Sequence, residues 1–275
     1  GYWMTDGGRE LYKHVNRTHV EVTGARGQKQ TKMTLSRLTQ AIHRLQGSSE
    51  FLDTGFAVSK VKDLLNGSKK GETALVVTGQ QTVEEYEALI GFFAKTFGTD
   101  DIYHWQNEPE KWNDFDGLLS RGDKNPNTKG LLKVLDKNGV KAPQWTQDLS
   151  QYSTVIVAAP ENMRAYPDLT KKLELLKNAK KVIWMGVSQL DELDVLQNEV
   201  WMLPTKAAME KSGTFINYAG LEQKIDVVTT IIENAYDLSE IVKIWQGQGL
   251  DLQHRPHVNP IERVENQFIF EKGEL

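Results

Sequence analysis

No cysteine occurs anywhere in the chain, and that one absence removes several chemistries together. Disulfides, a thiol nucleophile, cysteine-ligated iron-sulfur clusters and zinc sites of the cysteine type all need sulfur. Long apolar runs are missing as well. Nothing approaches the roughly 18 residues of a spanning helix, so no segment is expected to cross a membrane. Positive charge is in deficit, with 33 Lys and Arg against 37 Asp and Glu and a net charge of -4. Binders of nucleic acid usually present a basic face, and none is expected here. A chain with neither cysteine nor a signal peptide fits the cytoplasm at least as well as the outside.

Catalytic signatures are equally sparse. Neither G-x-G-x-x-G nor G-x-x-x-x-G-K-[ST] is present, which leaves no dinucleotide or P-loop fingerprint. The histidines are His14, His19, His43, His104, His254 and His257. None shares the H-E-x-x-H spacing, and His254 and His257 straddle Pro256, so no metal site is expected. No G-x-S-x-G elbow surrounds Ser120, Ser153 or Ser188, and none of the three has a recognisable base nearby in sequence. The pairs Asp100-Asp101 and Glu84-Glu85 read as solvated helix caps rather than acid-base machinery. Residue chemistry by itself therefore offers no catalytic group.

What is present is a repeating pattern. At 275 residues, 39% hydrophobic and 25% charged, the chain is long enough for a sizeable core in one or two domains. Residues 1–60 read as an irregular, polar strap, with one helix expected from Leu35 to Leu45 on the spacing of Leu35, Leu38, Ile42 and Leu45. From Thr73 the order sharpens. TALVVTG is a continuous β-branched run suited to a strand buried on both faces. Thr82-x-x-Glu85 is a capping box opening a helix with Tyr86, Leu89, Ile90, Phe93 and Phe97 on its apolar face; its N-terminus could hold an anion or simply be capped.

Ile102 to Trp105 reads as the next strand, and Leu118-Leu119 as the end of another. TVIVAAP at 154–160, a helix at 167–179, KVIWMGV at 181–187 and EVWMLP at 199–204 continue the alternation. A long helix is expected from Val227 to Trp245, its stripe formed by Val228, Ile231, Ile232, Ala235, Leu238, Ile241 and Val242, with Gly247 and Gly249 ending it. Residues 250–275 read as an extended tail. Alternating strands and helices point to an α/β, doubly wound, mostly parallel Rossmann-like sheet over 61–249. Its ligand edge would be the carboxyl ends of the strands.

Two polar loops fall on that edge. The first runs through Arg121, Gly122, Asp123, Lys124, Asn125, Pro126, Asn127 and Thr128, with Pro126 fixing φ and holding Asn125 out of the helical region. The second, between Gly213 and Gly220, carries Thr214, Phe215 and Asn217. Each reads equally as a turn that caps its own backbone or as part of a ligand cradle or interface.

Here the sequence resembles a known family. GLLSRGDKNPNTKG looks like the G-x-N-P-x-x-T loop of the molybdopterin oxidoreductase superfamily, in the version found in the large iron-sulfur subunit of NADH-quinone oxidoreductase, complex I. Lys206 to Gln223, with EKSGTFIN, is similar to the family's E-K-x-G-T-F-x-N-x-x-G-R-x-Q segment, and YWMTDGGRELYKHVN at 2–16 resembles its W-M-C-D-x-G-R segment. Thr5 stands where cluster-bearing members place cysteine, and Leu221 where the family has arginine.

The resemblance implies a Rossmann-like body and a catalytically retired scaffold within an electron-transfer complex. Its partners would be other subunits of a respiratory or hydrogenase-like complex, with any membrane association made through that complex. No cofactor would be held by this chain, iron-sulfur clusters belonging to partners or to sequence upstream of Gly1. Its alternative implication is an ancestral pocket for a molybdopterin-guanine dinucleotide or another nucleotide. Asn125, Asn127, Thr128, Thr214 and Asn217 would supply hydrogen bonds there, and Arg121 or Lys124 the phosphate contacts.

Overall fold

The computed structural model describes residues 20–23, 29–32, 36–107, 123–161 and 166–250. In chain order, Val20–Thr23 (β1) and Lys29–Lys32 (β2) form a hairpin, followed by the short strand Ser36–Arg37 (β3) and a second hairpin of Ala41–Leu45 (β4) and Ser48–Leu52 (β5). Next come Thr54–Asn66 (α1), Thr73–Val77 (β6), Val83–Phe97 (α2), Ile102–His104 (β7) and Thr128–Lys137 (α3). Thr154–Ala158 (β8), Leu169–Leu176 (α4), Lys181–Gly186 (β9), Ser188–Gln189 (β10) and Glu199–Pro204 (β11) continue the body. Gly213–Ile216 (β12), Glu222–Ile225 (β13) and Leu238–Trp245 (α5) complete the described strands and α-helices, and Asp191–Val195 and Ala208–Glu210 are short 3-10 turns.

Seven strands make the central sheet, in the order β5-β4-β11-β9-β8-β6-β7. The five from β11 to β7 are mutually parallel, while β4 is antiparallel to β11 and to β5. Strand alternation feeds two cores. Leu75, Val77, Ile156, Ala158, Ile183 and Met185 point to one face with residues of α1, α2, α3 and α5. Ala74, Val76, Val155, Val157, Val182 and Trp184 point to the other, against α4 and the aromatic group Trp105, Trp145 and Tyr152. Burial on both faces is why these strands read as unbroken apolar runs rather than alternating ones. The doubly wound α/β architecture expected from the sequence is the one observed, as a mixed, mostly parallel sheet.

Two expected helices are not formed as read. Residues 36–52 hold strands β3, β4 and β5 and no helix, and the helix spacing of Leu38, Ile42 and Leu45 is coincidental. Gln46 at φ 52° and Gly47 at φ 79° make a tight turn of the kind that matches strand twist, and β4 then covers the edge of β11. The polar N-terminal part thus contributes two strands to the sheet, and α1 spans the expected boundary at residue 60. Helix α5 starts at Leu238 rather than Val227, because Asp237 caps it, with Glu240 closing the capping box. Upstream, the β-branched run Val227-Val228-Thr229-Thr230-Ile231-Ile232 loses side-chain freedom in a helix and stays irregular. Leu118 and Leu119, the start of the first polar loop and the tail from residue 251 lie outside the described residues.

Connectivity reverses between β6 and β8. The chain leaves β6 through α2 to β7 on one side, then passes through α3 to β8 on the other side of β6. Loops leaving neighbouring strands in opposite directions open a crevice at the carboxyl ends, where ligands of such sheets sit.

Candidate functional site at the carboxyl edge of the sheet

At this edge the loop after β6 closes the crevice with its own side chains. Thr78 Oγ1 lies 3.0 Å from Gln81 Oε1 and 3.2 Å from the Ala158 carbonyl, its one proton serving either. Gln81 Nε2 donates to the Ala159 carbonyl at 3.0 Å. Tyr86 donates its hydroxyl to the Thr78 carbonyl at 2.7 Å and accepts from the Gln81 amide at 3.1 Å. The diverging loops are therefore laced together across the reversal point. The N-terminus of α2 is filled by the expected capping box: Thr82 Oγ1 accepts from the Glu85 amide at 3.2 Å, and Glu85 Oε2 accepts from the Thr82 amide at 2.8 Å. An anion arriving there would meet carboxylates already in place.

Asn127 is the hub of the first polar loop. Its amide donates to the Gly79 carbonyl at 2.9 Å. Its Nδ2 donates to the Gln81 carbonyl at 2.7 Å and the Thr214 carbonyl at 3.2 Å, and its Oδ1 accepts from the Ile216 amide at 2.7 Å. One fully buried side chain thereby joins three segments through main-chain groups alone. Asn125 is held as tightly, with Nδ2 2.6 Å from Asn107 Oδ1 and 2.9 Å from Asp123 Oδ1, and Oδ1 accepting from Tyr166 at 2.7 Å. Burial pushes the Tyr166 hydroxyl well above its ordinary range and keeps it a neutral donor. Thr128 Oγ1 is buried without a hydrogen-bond partner among the described residues. A Cβ on Gly79 would lie 2.5 Å from it and 2.9 Å from Asn125 Cβ, so glycine is required where the two loops touch. The Lys124 amide donates to Asn107 Oδ1 at 3.2 Å, and Arg121 lies outside the described residues.

The second loop is the hairpin β12-β13. Thr214 gives its amide to Glu84 Oε2 and its hydroxyl to Glu84 Oε1, both at 2.7 Å. Burial acts to raise the Glu84 carboxyl, but the two Thr214 hydrogen bonds, a backbone amide and the Lys224 charge together outweigh it, and the net displacement is downward. Asn217 Oδ1 accepts from the Ala219 and Leu221 amides at 2.9 and 3.0 Å, which makes it the cap of its own turn.

Sequence reasoning missed a buried charge cluster beside these loops. Arg37 Nη2 lies 2.6 Å from Glu210 Oε2, and Lys211 Nζ 2.8 Å from Glu85 Oε2, with all four side chains almost fully enclosed. Glu161 Oε1 accepts from the Ala208 amide at 2.8 Å. Burial pushes the Glu161 carboxyl up, against the pull of Lys211, the Ala208 amide and Arg37. Burial alone would push the Lys211 ammonium down; Glu85 and Glu161 overcome it, and its pKa is raised. Glu210 and Lys211 belong to the EKSGTFIN segment, but nothing in the spacing says that β3, the loop after β8 and the start of α2 converge on them.

The edge thus brings together Asn125, Asn127, Thr128 and Thr214, and leaves Asn217 at the hairpin tip. Asn125, Asn127 and Thr214, together with Asn217 Oδ1, make their hydrogen bonds within the chain. Among the described residues there is no group of three His, Asp or Glu placed to hold a metal ion, and no helix long and apolar enough to cross a membrane. No protein-family model and no curated protein matches the chain.

Proposed function

We propose that the protein is a non-catalytic scaffold domain of the large iron-sulfur subunit type of an NADH-quinone oxidoreductase, with no active site of its own and supporting electron-carrying subunits on the cytoplasmic side. The reading rests on the resemblance of its loops, and the observation that carries its non-catalytic part is Asn127. In a binding loop the side chain at the centre would face the ligand; here both ends of the Asn127 amide are spent on the Gln81, Thr214 and Ile216 main chain. A loop built this way holds shape rather than substrate. Co-purification of the tagged protein with the neighbouring subunits of such a complex tests the proposal. Stable recovery of those subunits is expected, and their absence from a pull-down under conditions that keep the complex intact counts against it. Nucleotide binding makes the opposite prediction in a second measurement: guanine nucleotides should leave the melting temperature unchanged, whereas a ligand at a hundred times its Kd would add about 2.7 kcal/mol.

A further inference from the structure

Residues 205–236 leave the sheet after β11, cross the whole carboxyl edge and return to where they started. The two ends are tied together. Thr205 and Tyr236 form a parallel bridge, the Lys206 amide donates to the Tyr236 carbonyl at 3.1 Å, and Lys206 Nζ lies 2.8 Å from Glu240. Between these ends the segment passes over the loops after β9, β8 and β6 and reaches α3. It is also tied to itself, since the Val228 and Thr229 amides both donate to the Met209 carbonyl.

Its seat is made largely of carboxylates and one amide holding main-chain groups. Glu210, itself on the segment, binds it to the body through Arg37 at Oε2 and ties the segment together by accepting from the Ala207 amide at Oε2 and the Ile231 and Ile232 amides at Oε1 at 2.7 and 2.8 Å. Glu161 holds the Ala208 amide, Glu85 holds Lys211, Glu84 holds Thr214 and Asn127 holds Ile216. Apolar contact is thinner: Ala207 packs on Val187 with Met209 and Ile231 only partly buried, Ile216 and Ala235 are enclosed, Tyr236 at the hinge packs on the core, and Tyr218, Leu221 and Val228 are exposed. Among the described residues, Arg37 Nε and Nη1 are buried in the closed seat without partners, which works against closure.

We propose that residues 205–236 are a lid, hinged at Thr205 and Tyr236, that swings off the carboxyl edge as one unit and uncovers the start of α2 and the Asn127 loop. A segment whose ends are joined, which is bonded within itself and seated by polar contacts, opens below the free energy of global unfolding. Lifting it exposes the residues it touches there, Thr82, Glu84, Glu85 and Asn127, while both cores of the sheet stay closed. The proposal concerns the mechanics of this edge and does not depend on the scaffold reading.

Hydrogen exchange of the full chain, read by mass spectrometry at neutral pH, tests it. Peptides covering 207–234 should exchange together and at least tenfold faster than those covering β6, β8 and β9. Glu210→Gln keeps the shape but removes the charge that holds Arg37 and three main-chain amides, and it should speed exchange of the lid about tenfold with the sheet unchanged. Gly213→Ala is an independent lever, because a Cβ there would lie 2.6 Å from Thr82 Cβ and should lift the same segment. Lid peptides that exchange in step with the sheet in the unsubstituted protein overturn the proposal. So does a Glu210→Gln effect spread evenly over lid and sheet, or a Gly213→Ala variant whose lid exchanges as slowly as before.

Discussion

Asn127 holds the carboxyl edge together because it presents a donor and an acceptor at a point where three stretches of main chain would otherwise be left with unpaired groups. Asn127→Ala strands the Gln81 and Thr214 carbonyls and the Ile216 amide. Each buried orphan costs about 1–3 kcal/mol, so a loss of about 3 kcal/mol is expected in urea denaturation, with the sheet retained by circular dichroism. A loss below about 1 kcal/mol would show that water reaches those groups. His104 makes a second residue-scale prediction. Burial lowers its pKa from 6.5 to about 4, so the folded chain keeps a neutral imidazole where the unfolded chain takes up a proton. The stability this contributes is fully present above 6.5 and is lost as pH falls towards about 4, amounting to at most about 3 kcal/mol. Comparing the pH dependence of unfolding with that of His104→Gln should remove one proton from the slope in that window. Equal slopes would mean that the imidazole titrates normally.

The elements that were legible from the sequence are those in which local pattern and tertiary demand agree. Thr73–Val77, Thr154–Ala158 and Lys181–Gly186 are central parallel strands, so every position must be apolar and the run announces itself. Helix α2 shows both a capping box and an apolar face, and both are realised. The elements that were misread depend on partners distant in the chain. β4 is a strand because β11 offers it an edge, and its turn signal, Gln46-Gly47, is two residues long. For α5 the deciding signal was present in Asp237 and Glu240, but the valine and isoleucine stripe upstream concealed it by having helical spacing without helical propensity. Neither stripe could reveal that residues 205–236 leave the sheet and fold back across it.

At the scale of the whole molecule, one sheet carries both cores, and this governs how the protein comes apart. Trp105, Trp145 and Trp184 report on one face, and Trp201 and Trp245 on the other. Since neither face can be exposed without the strands they share, urea unfolding followed by tryptophan fluorescence and by far-ultraviolet circular dichroism should give coincident transitions. Separate midpoints would indicate that the β4-β5 hairpin and α1 form a unit of their own.

Composition and pattern by themselves determined the α/β class, the order of the central strands along the chain and the exclusion of cysteine chemistry, because these depend on residue types and on periods of two and 3.6 that are local properties. They also singled out the two polar loops. Only the tertiary structure decided what those loops do with their polar atoms. The partners of Asn127 lie at Gly79, Gln81, Thr214 and Ile216, and the distant ones of Glu210 at Arg37, Ile231 and Ile232. A hydrogen bond between residues so far apart in sequence leaves no trace in spacing. The direction of a side chain, towards a ligand or towards its own backbone, is set by how the sheet brings its carboxyl ends together.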